Sequence, residues 1–178
     1  MVTLVTGGSR SGKSGFAQRL AARGEAPRLF LATAQALDDE MRLRIAAHRA
    51  ARPADWGLVE EPLAVPPALA AARGTARTIV VDCVTLWIAN LLLADDHYGE
   101  TQASESAAAL LEAARGAGHV IIVTNEVGSG IVPDNELSRR FRDCAGRANQ
   151  ALAAGADEVY LLVSGIPVTL KSIERGPL

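Results

Sequence analysis

Residues Gly7 to Ser14, GGSRSGKS, carry the most specific chemistry in the sequence. They fit G-x-x-x-x-G-K-[ST] at every required position, directly after the apolar run VTLVT and directly before an amphipathic helical pattern. Each residue type has a task there. Gly7, Gly8 and Gly12, with Ser9, Arg10 and Ser11 between them, let the backbone wrap a phosphate group with its N–H groups. The helix that follows adds a fixed anion site at its N-terminus, Lys13 reaches the β and γ phosphates, and the Ser14 hydroxyl can ligate Mg²⁺. A glycine-rich turn that happens to precede a helix is the bland alternative; strand, loop, helix and Lys-Ser together point to a nucleoside triphosphate.

A Mg²⁺-nucleotide site also needs an acid at the carboxyl end of a neighbouring strand. The run TIVVDC supplies Asp82, although an acidic strand end in a turn would look the same. Its neighbour Cys83 reads as a small buried hydrophobe. Another strand end, TNEVGSGIVPDN from Thr124 to Asn135, is polar, glycine-rich and long for a βα connection. Asn125 and Glu126 could contact a second substrate there, and Gly128 and Gly130 could let the loop close; a solvent loop with a helix start at Asp134 and Asn135 fits equally well. Arg139, Arg140, Arg142 and Arg147 on the following helix could meet phosphates, but a solvated helix face is the commoner use of such a run.

The remaining candidate is His48 in RIAAHRAARP. Asp38 or Asp39 can cap its helix, Glu40 can pair with Arg44, and Pro53 ends it. Met41, Ile45 and His48 follow at i, i+4 and i+7, so the imidazole shares the apolar face. A lone histidine there is more often packed than reactive, and no second histidine or acidic cluster stands at zinc-site spacing.

These residues need a frame. Five apolar, β-branched runs read as strands: Val2–Thr6, Arg28–Thr33, Thr78–Cys83, Val120–Glu126 and Val159–Gly165. A short sixth, Val168–Lys171 after Pro167, reads as an edge strand. Helical patterns lie between them at about Lys13–Ala22, Asp39–Ala51, Pro67–Ala72, Leu86–Ala94, Ser104–Arg115 and Glu136–Ala154. The alternation predicts an α/β protein with a mostly parallel sheet flanked by helices. The polar interval Ala94–Gln102 is expected to be a mobile loop with His97 exposed and inert. At 178 residues and 49% hydrophobic content, the chain is expected to form a single domain over 1–178. A net charge of −2 gives no field for nucleic acid. Cys83 and Cys144 make neither a disulfide framework nor a thiolate metal site. With no signal peptide and no apolar run of about 18 residues, the expectation is a cytoplasmic protein without membrane insertion.

Taken together, GGSRSGKS, ATAQALDDEMRLRIAAHRAARPADW with EEP behind it, VDCVTLWIANLL, TNEVGSGIVPDN and RFRDCAGRANQALAAGADEVYLLVSGIPVTLK resemble the bifunctional adenosylcobinamide kinase / adenosylcobinamide-phosphate guanylyltransferase family of cobalamin biosynthesis. The resemblance spans nearly the whole chain. It implies a RecA-like P-loop NTPase fold with one antiparallel edge strand near the C-terminus. It implies phosphorylation of the adenosylcobinamide hydroxyl with ATP or GTP and Mg²⁺, then transfer of GMP from GTP to that phosphate through a guanylylated histidine. The family's histidine falls on His48, and Lys13 would share the catalysis. Further nucleotide contacts fall on Thr33, Ala34 and Gln35, on Arg49, Ala50, Ala51 and Arg52, and on Glu60 and Asp82, with Glu61 competing with Glu60 and with Ser14 and Asp82 on the metal. A homo-oligomer is also implied. A simple P-loop small-molecule kinase in which His48 only packs, and a nucleotide-dependent switch or assembly protein, are the alternatives.

Overall fold

The computed structural model describes residues 1–36, 38–50 and 53–172; within the second helix the side chains of Arg44, Ala47 and His48 also lie outside the description. Six helices and seven strands alternate along the described residues: β1 (Val2–Gly7), α1 (Lys13–Ala22), β2 (Arg28–Ala32), α2 (Asp39–Ala50), β3 (Gly57–Glu60), α3 (Val65–Ala72), β4 (Thr78–Asp82), α4 (Val84–Ala94), α5 (Glu100–Ala114), β5 (His119–Val123), α6 (Glu136–Gly155), β6 (Glu158–Val163) and β7 (Ile166–Lys171).

They form one seven-stranded sheet in the order β3-β2-β4-β5-β1-β6-β7. All neighbours are parallel except the antiparallel β6–β7 pair at one edge. The central strands are nearly continuous in hydrophobicity because both faces are covered. Alternate residues serve the two layers. Leu4, Leu31, Ile79, Val81 and Ile122 pack beneath residues of α3 to α6. Val5, Phe30, Val80, Ile121 and Val123 pack with Ala17 and Ala21 of α1 and with Trp56.

One strand is added to those the sequence signals and one expectation is corrected. Gly57–Glu60 pairs with β2 from Leu29 to Ala32 and forms the sheet's other edge. It is four residues long and mostly exposed, so it lacks the apolar run that betrays a buried strand. The corrected expectation is the interval Ala94–Gln102, which is not a long mobile loop, since α5 already starts at Glu100. The Gln102 side chain accepts from the Gly99 N–H at 3.1 Å, Ala103 is fully buried, and buried Tyr98 donates to Ser106 Oγ at 3.1 Å. Local capping and one aromatic anchor stand in for the missing apolar period. His97 is exposed, as expected.

At the α6 start, the Asn135 side chain accepts from Ser138 N at 2.8 Å, a helix N-cap where the sequence signals one. Asp38 does the same for α2, accepting from Met41 N at 2.7 Å. No described helix is long and apolar enough to cross a membrane.

Candidate functional site

The carboxyl ends of β1, β4 and β5 lie side by side, and in an open α/β sheet that is where ligands bind. A cavity of about 870 Å³ opens there. Its floor is the loop between β1 and α1. Gly7 has φ +148°, and a Cβ on it would stand 2.5 Å from the Leu162 carbonyl oxygen, so only glycine allows the chain to leave the sheet at this point. Gly12, at φ +94°, turns the loop into α1 in the left-handed region, and its carbonyl accepts the first helical bond from Phe16 N at 3.0 Å.

Lys13 follows at 6% exposure. Its ammonium donates to the Gly8 carbonyl at 2.5 Å and to Ser11 Oγ at 3.4 Å. Burial lowers its pKa from the ordinary lysine value, while the Asp82 carboxylate acts in the opposite direction. Ser14 is half-buried on the same wall, and Asp82 reaches it from the end of β4. The two offer a hydroxyl and a carboxylate to one cavity, a hard oxygen donor set that fits Mg²⁺ completed by substrate phosphates and water. The Asp82–Cys83 peptide is cis. Cys83 is no nucleophile: burial first, and then the Asp82 charge, push its thiol up to about 12.

Thr33 does not line the cavity. It is fully buried, and its hydroxyl donates to the Cys83 carbonyl at 2.8 Å while accepting from Cys83 N at 2.9 Å, so it clamps the end of β4 that carries Asp82. Asn90 adds a second tie, donating to the Thr33 carbonyl at 2.8 Å and to that of Pro62 at 3.0 Å. Ala34 lines the cavity, and Gln35 is half-buried beside it.

The wall facing the loop comes from α2. Met41 and Ile45 line the cavity, so the helix turns the predicted apolar face towards it, and position 48 lies three residues past Ile45 on the same helix. The other two histidines are elsewhere. His97 is exposed in a turn, and His119 bonds Thr3 Oγ1 at 2.9 Å at the opposite end of β5. Ala50 is exposed, and Ala51 and Arg52 lie outside the described residues. Arg49 donates twice to Glu60 Oε1, at 2.5 and 3.2 Å, and thereby links α2 to the end of β3. Glu60 lines the cavity. Glu61 instead accepts from Leu63 N and Ala64 N at 2.9 and 2.8 Å, bonds that lower its pKa. The two adjacent acids thus divide into one at the cavity and one serving the backbone ahead of α3.

Past β5, Asn125 and Glu126 complete the rim. Glu126 N donates to the Gly7 carbonyl at 3.0 Å, which ties this strand end to the phosphate loop. Sequence reading misses the support under it. Thr85 Oγ1 accepts from Asn125 N at 2.6 Å and lies 3.2 Å from Thr124 Oγ1, which donates to Asn149 Oδ1 at 2.7 Å; Asn149 Nδ2 donates back to the Asn125 carbonyl at 3.0 Å. The only signals are polar residues inside helices otherwise built for burial, Thr85 in VTLWIANLL and Asn149 in GRANQAL. The four arginines of α6 stay away from the phosphate loop. Arg139 and Arg140 bond backbone carbonyls, Arg142 pairs with Asp143 and Arg147 with Glu100.

A family model described as "Cobinamide kinase / cobinamide phosphate guanyltransferase" matches residues 3–170. The chain is 47% identical over 174 residues to the "Bifunctional adenosylcobalamin biosynthesis protein CobP" of Pseudomonas aeruginosa, covering 96% of this chain and 98% of that protein. It is 45% identical over 183 residues to the "Bifunctional adenosylcobalamin biosynthesis protein CobU" of Salmonella typhimurium, covering 96% of this chain and all of that protein. Among solved structures, an ATPase from the type III secretion system of pathogenic bacteria superposes with TM-score 0.58 at 14% identity, over 94% of this chain and 56% of that one. The RadB recombinase gives TM-score 0.50 at 17% identity, over 90% of this chain and 73% of that one. At these identities the structural likeness establishes the fold alone, a RecA-like P-loop sheet.

Proposed function

The chain belongs to the cobinamide kinase / cobinamide phosphate guanyltransferase family, and from that premise we propose that both reactions run in the cavity between the phosphate loop and α2. In the first, the side-chain hydroxyl of adenosylcobinamide bonds to the γ-phosphorus of ATP or GTP as the bond to the nucleoside diphosphate breaks and the hydroxyl proton leaves. In the second, an imidazole nitrogen of His48 bonds to the α-phosphorus of GTP and expels pyrophosphate; the phosphate of adenosylcobinamide phosphate then displaces the imidazole and yields adenosylcobinamide-GDP.

This chain's residues divide the work. The backbone from Gly7 to Gly12 takes the phosphates, and Lys13 moves from the Gly8 carbonyl onto the β and γ oxygens, where burial makes its charge count for more than it would in water. Where Mg²⁺ is bound, Ser14 and Asp82 hold it, and it supplies neutralisation of the phosphate charge. Ala34, Gln35, Arg49 to Arg52 and Glu60 take the guanosine side, with Glu60 rather than Glu61 as the contacting acid. A neutral imidazole is a competent nucleophile at physiological pH, and its phosphoramidate retains enough energy to pass GMP to a phosphate. The chain works as one domain over 1–178, in a homo-oligomer, in the cytoplasm.

The observation that carries this reading is that Met41 and Ile45 of the histidine helix line the same cavity as buried Lys13 and Asp82. Incubation with α-labelled GTP tests it. A label that is labile to acid, stable to base and absent from His48→Ala supports the covalent step, while a wild-type protein that takes up no label overturns it.

A further inference from the structure

A second cavity of about 850 Å³ lies behind the loop that follows β5. Glu126 and Gly130 line both cavities; Val127 and Ser129 face the nucleotide side, Gly128 and Val132 the other, so a single turn of chain is the partition. The back wall is apolar, with Leu4, Val159 and Leu170, and the rim is polar, with Asn149 and Gln150 of α6. Val132 and Leu170 are 61% and 59% exposed, which is unusual for large apolar residues gathered around one hollow. Thr6 stands on the same wall, its hydroxyl buried and without a hydrogen-bond partner among the described residues.

Charge decides what the hollow can take. Arg142 and Arg147 line it, but so do Glu100, Asp143 and Glu126, and the arginines are already paired at 3.3 Å to Asp143 and 2.6 Å to Glu100. Two cations against three anions leave no positive excess for a polyphosphate. An apolar floor with an amide and ion-pair rim suits an uncharged or cationic macrocycle fringed with carboxamides.

We propose that this second cavity seats the corrin ring of the acceptor, with Glu126 at the partition where the acceptor's hydroxyl meets the phosphoryl donor. The proposal rests on the kinase reading above. The Glu126 backbone is held on the phosphate loop through Gly7, and its carboxylate accepts from Gly128 N at 2.9 Å, so the group is aimed by the loop that divides the two substrates. During transfer it accepts the hydroxyl proton as the new O–P bond forms and the nucleoside diphosphate departs.

Gly146, on α6, gives the test. It lines the second cavity, and a Cβ built there meets nothing within 4 Å, so a large side chain fills the hollow without disturbing the helix. Gln150, one turn on and exposed, offers an independent position. Gly146→Trp and Gln150→Trp should each weaken adenosylcobinamide binding in equilibrium dialysis by about tenfold or more, with affinity for a fluorescent ATP analogue changed less than about twofold. Unchanged corrinoid affinity in both variants overturns the proposal, as does parallel loss of nucleotide and corrinoid binding in both. A shift in sedimentation mass with unchanged corrinoid affinity also overturns it and assigns the hollow to a contact between copies. Wild-type protein that neither binds nor phosphorylates adenosylcobinamide defeats the kinase reading itself; wild-type activity with unaffected variants defeats only the placement.

Discussion

At the phosphate-loop end of the cavity Lys13 is 6% exposed, and the strand end beside it is fastened by a fully buried threonine. At the α2 end, Arg49 and Glu60 meet with 53% and 45% of their side chains in solvent. The first region is preorganised: its backbone glycines and clamped strand end form a fixed frame, within which the buried ammonium has only to exchange the Gly8 carbonyl for phosphate. The second is held by an exposed ion pair, worth no more than about 1 kcal/mol, which a ligand can open cheaply. On the proposed reading, in which a triphosphate is accepted for one transfer and its α-phosphorus is presented to His48 for the other, one fixed end and one adjustable end serve the two reactions.

Removing the fixed end should have the largest effect. Lys13→Met should lower phosphoryl transfer to adenosylcobinamide by about 10²–10³-fold, the scale for loss of one preorganised charge donor at a transition state. Thermal stability should not fall with it, because a buried ammonium is costly to hold. A variant that keeps near-normal turnover would break the contrast between the two ends.

Thr33→Val probes the clamp. It leaves the Cys83 N–H and carbonyl without their shared hydroxyl partner and should cost about 1–3 kcal/mol in denaturant unfolding. Thr33→Ser should recover most of the loss. Equal stability in all three proteins would show that the strand end needs no clamp.

The clamp also shows where sequence reading stops. The phosphate loop is legible because its residues act through backbone geometry that the local pattern dictates, and the buried strands are legible because two covered faces demand apolar runs. The apolar face of α2 is legible too, through Met41 and Ile45. Thr33 is different. The family resemblance, not any local pattern, puts a nucleotide contact on it, and its hydroxyl is taken up by Cys83, 50 residues away in the chain. The Thr85–Thr124–Asn149 support and the edge pairing of Gly57–Glu60 have the same long-range origin, and no local periodicity announces them.

At the adjustable end the effects should be smaller and of another kind. Glu60→Gln should leave unfolding free energy within about 0.5 kcal/mol of wild type, as expected for an exposed pair. It should raise the GTP concentration needed for histidine labelling by about tenfold, the scale of one charge-assisted hydrogen bond. Glu61→Gln, whose carboxylate serves Leu63 and Ala64, should show the reverse pattern, with lower stability and unchanged labelling. If Glu61→Gln alters labelling and Glu60→Gln does not, the two acids exchange roles.

The smallest effect concerns pH. Lys13 has a lowered pKa in the folded state, so the unfolded chain binds more protons in the interval between that value and the ordinary 10.5. Well below the interval both states are protonated and the full burial penalty is present; as pH rises through it, the penalty is relieved and Lys13 favours folding progressively. Asp82 limits the size of the effect, since its charge favours the ammonium. Comparing the pH dependence of unfolding for wild type and Lys13→Met as pH rises from neutrality towards 10.5 isolates the contribution as a difference that shifts in favour of wild type with rising pH. A difference that is flat, or that moves the other way, would mean that the phosphate-loop end holds its lysine without strain, and the contrast with the α2 end would then rest on geometry alone.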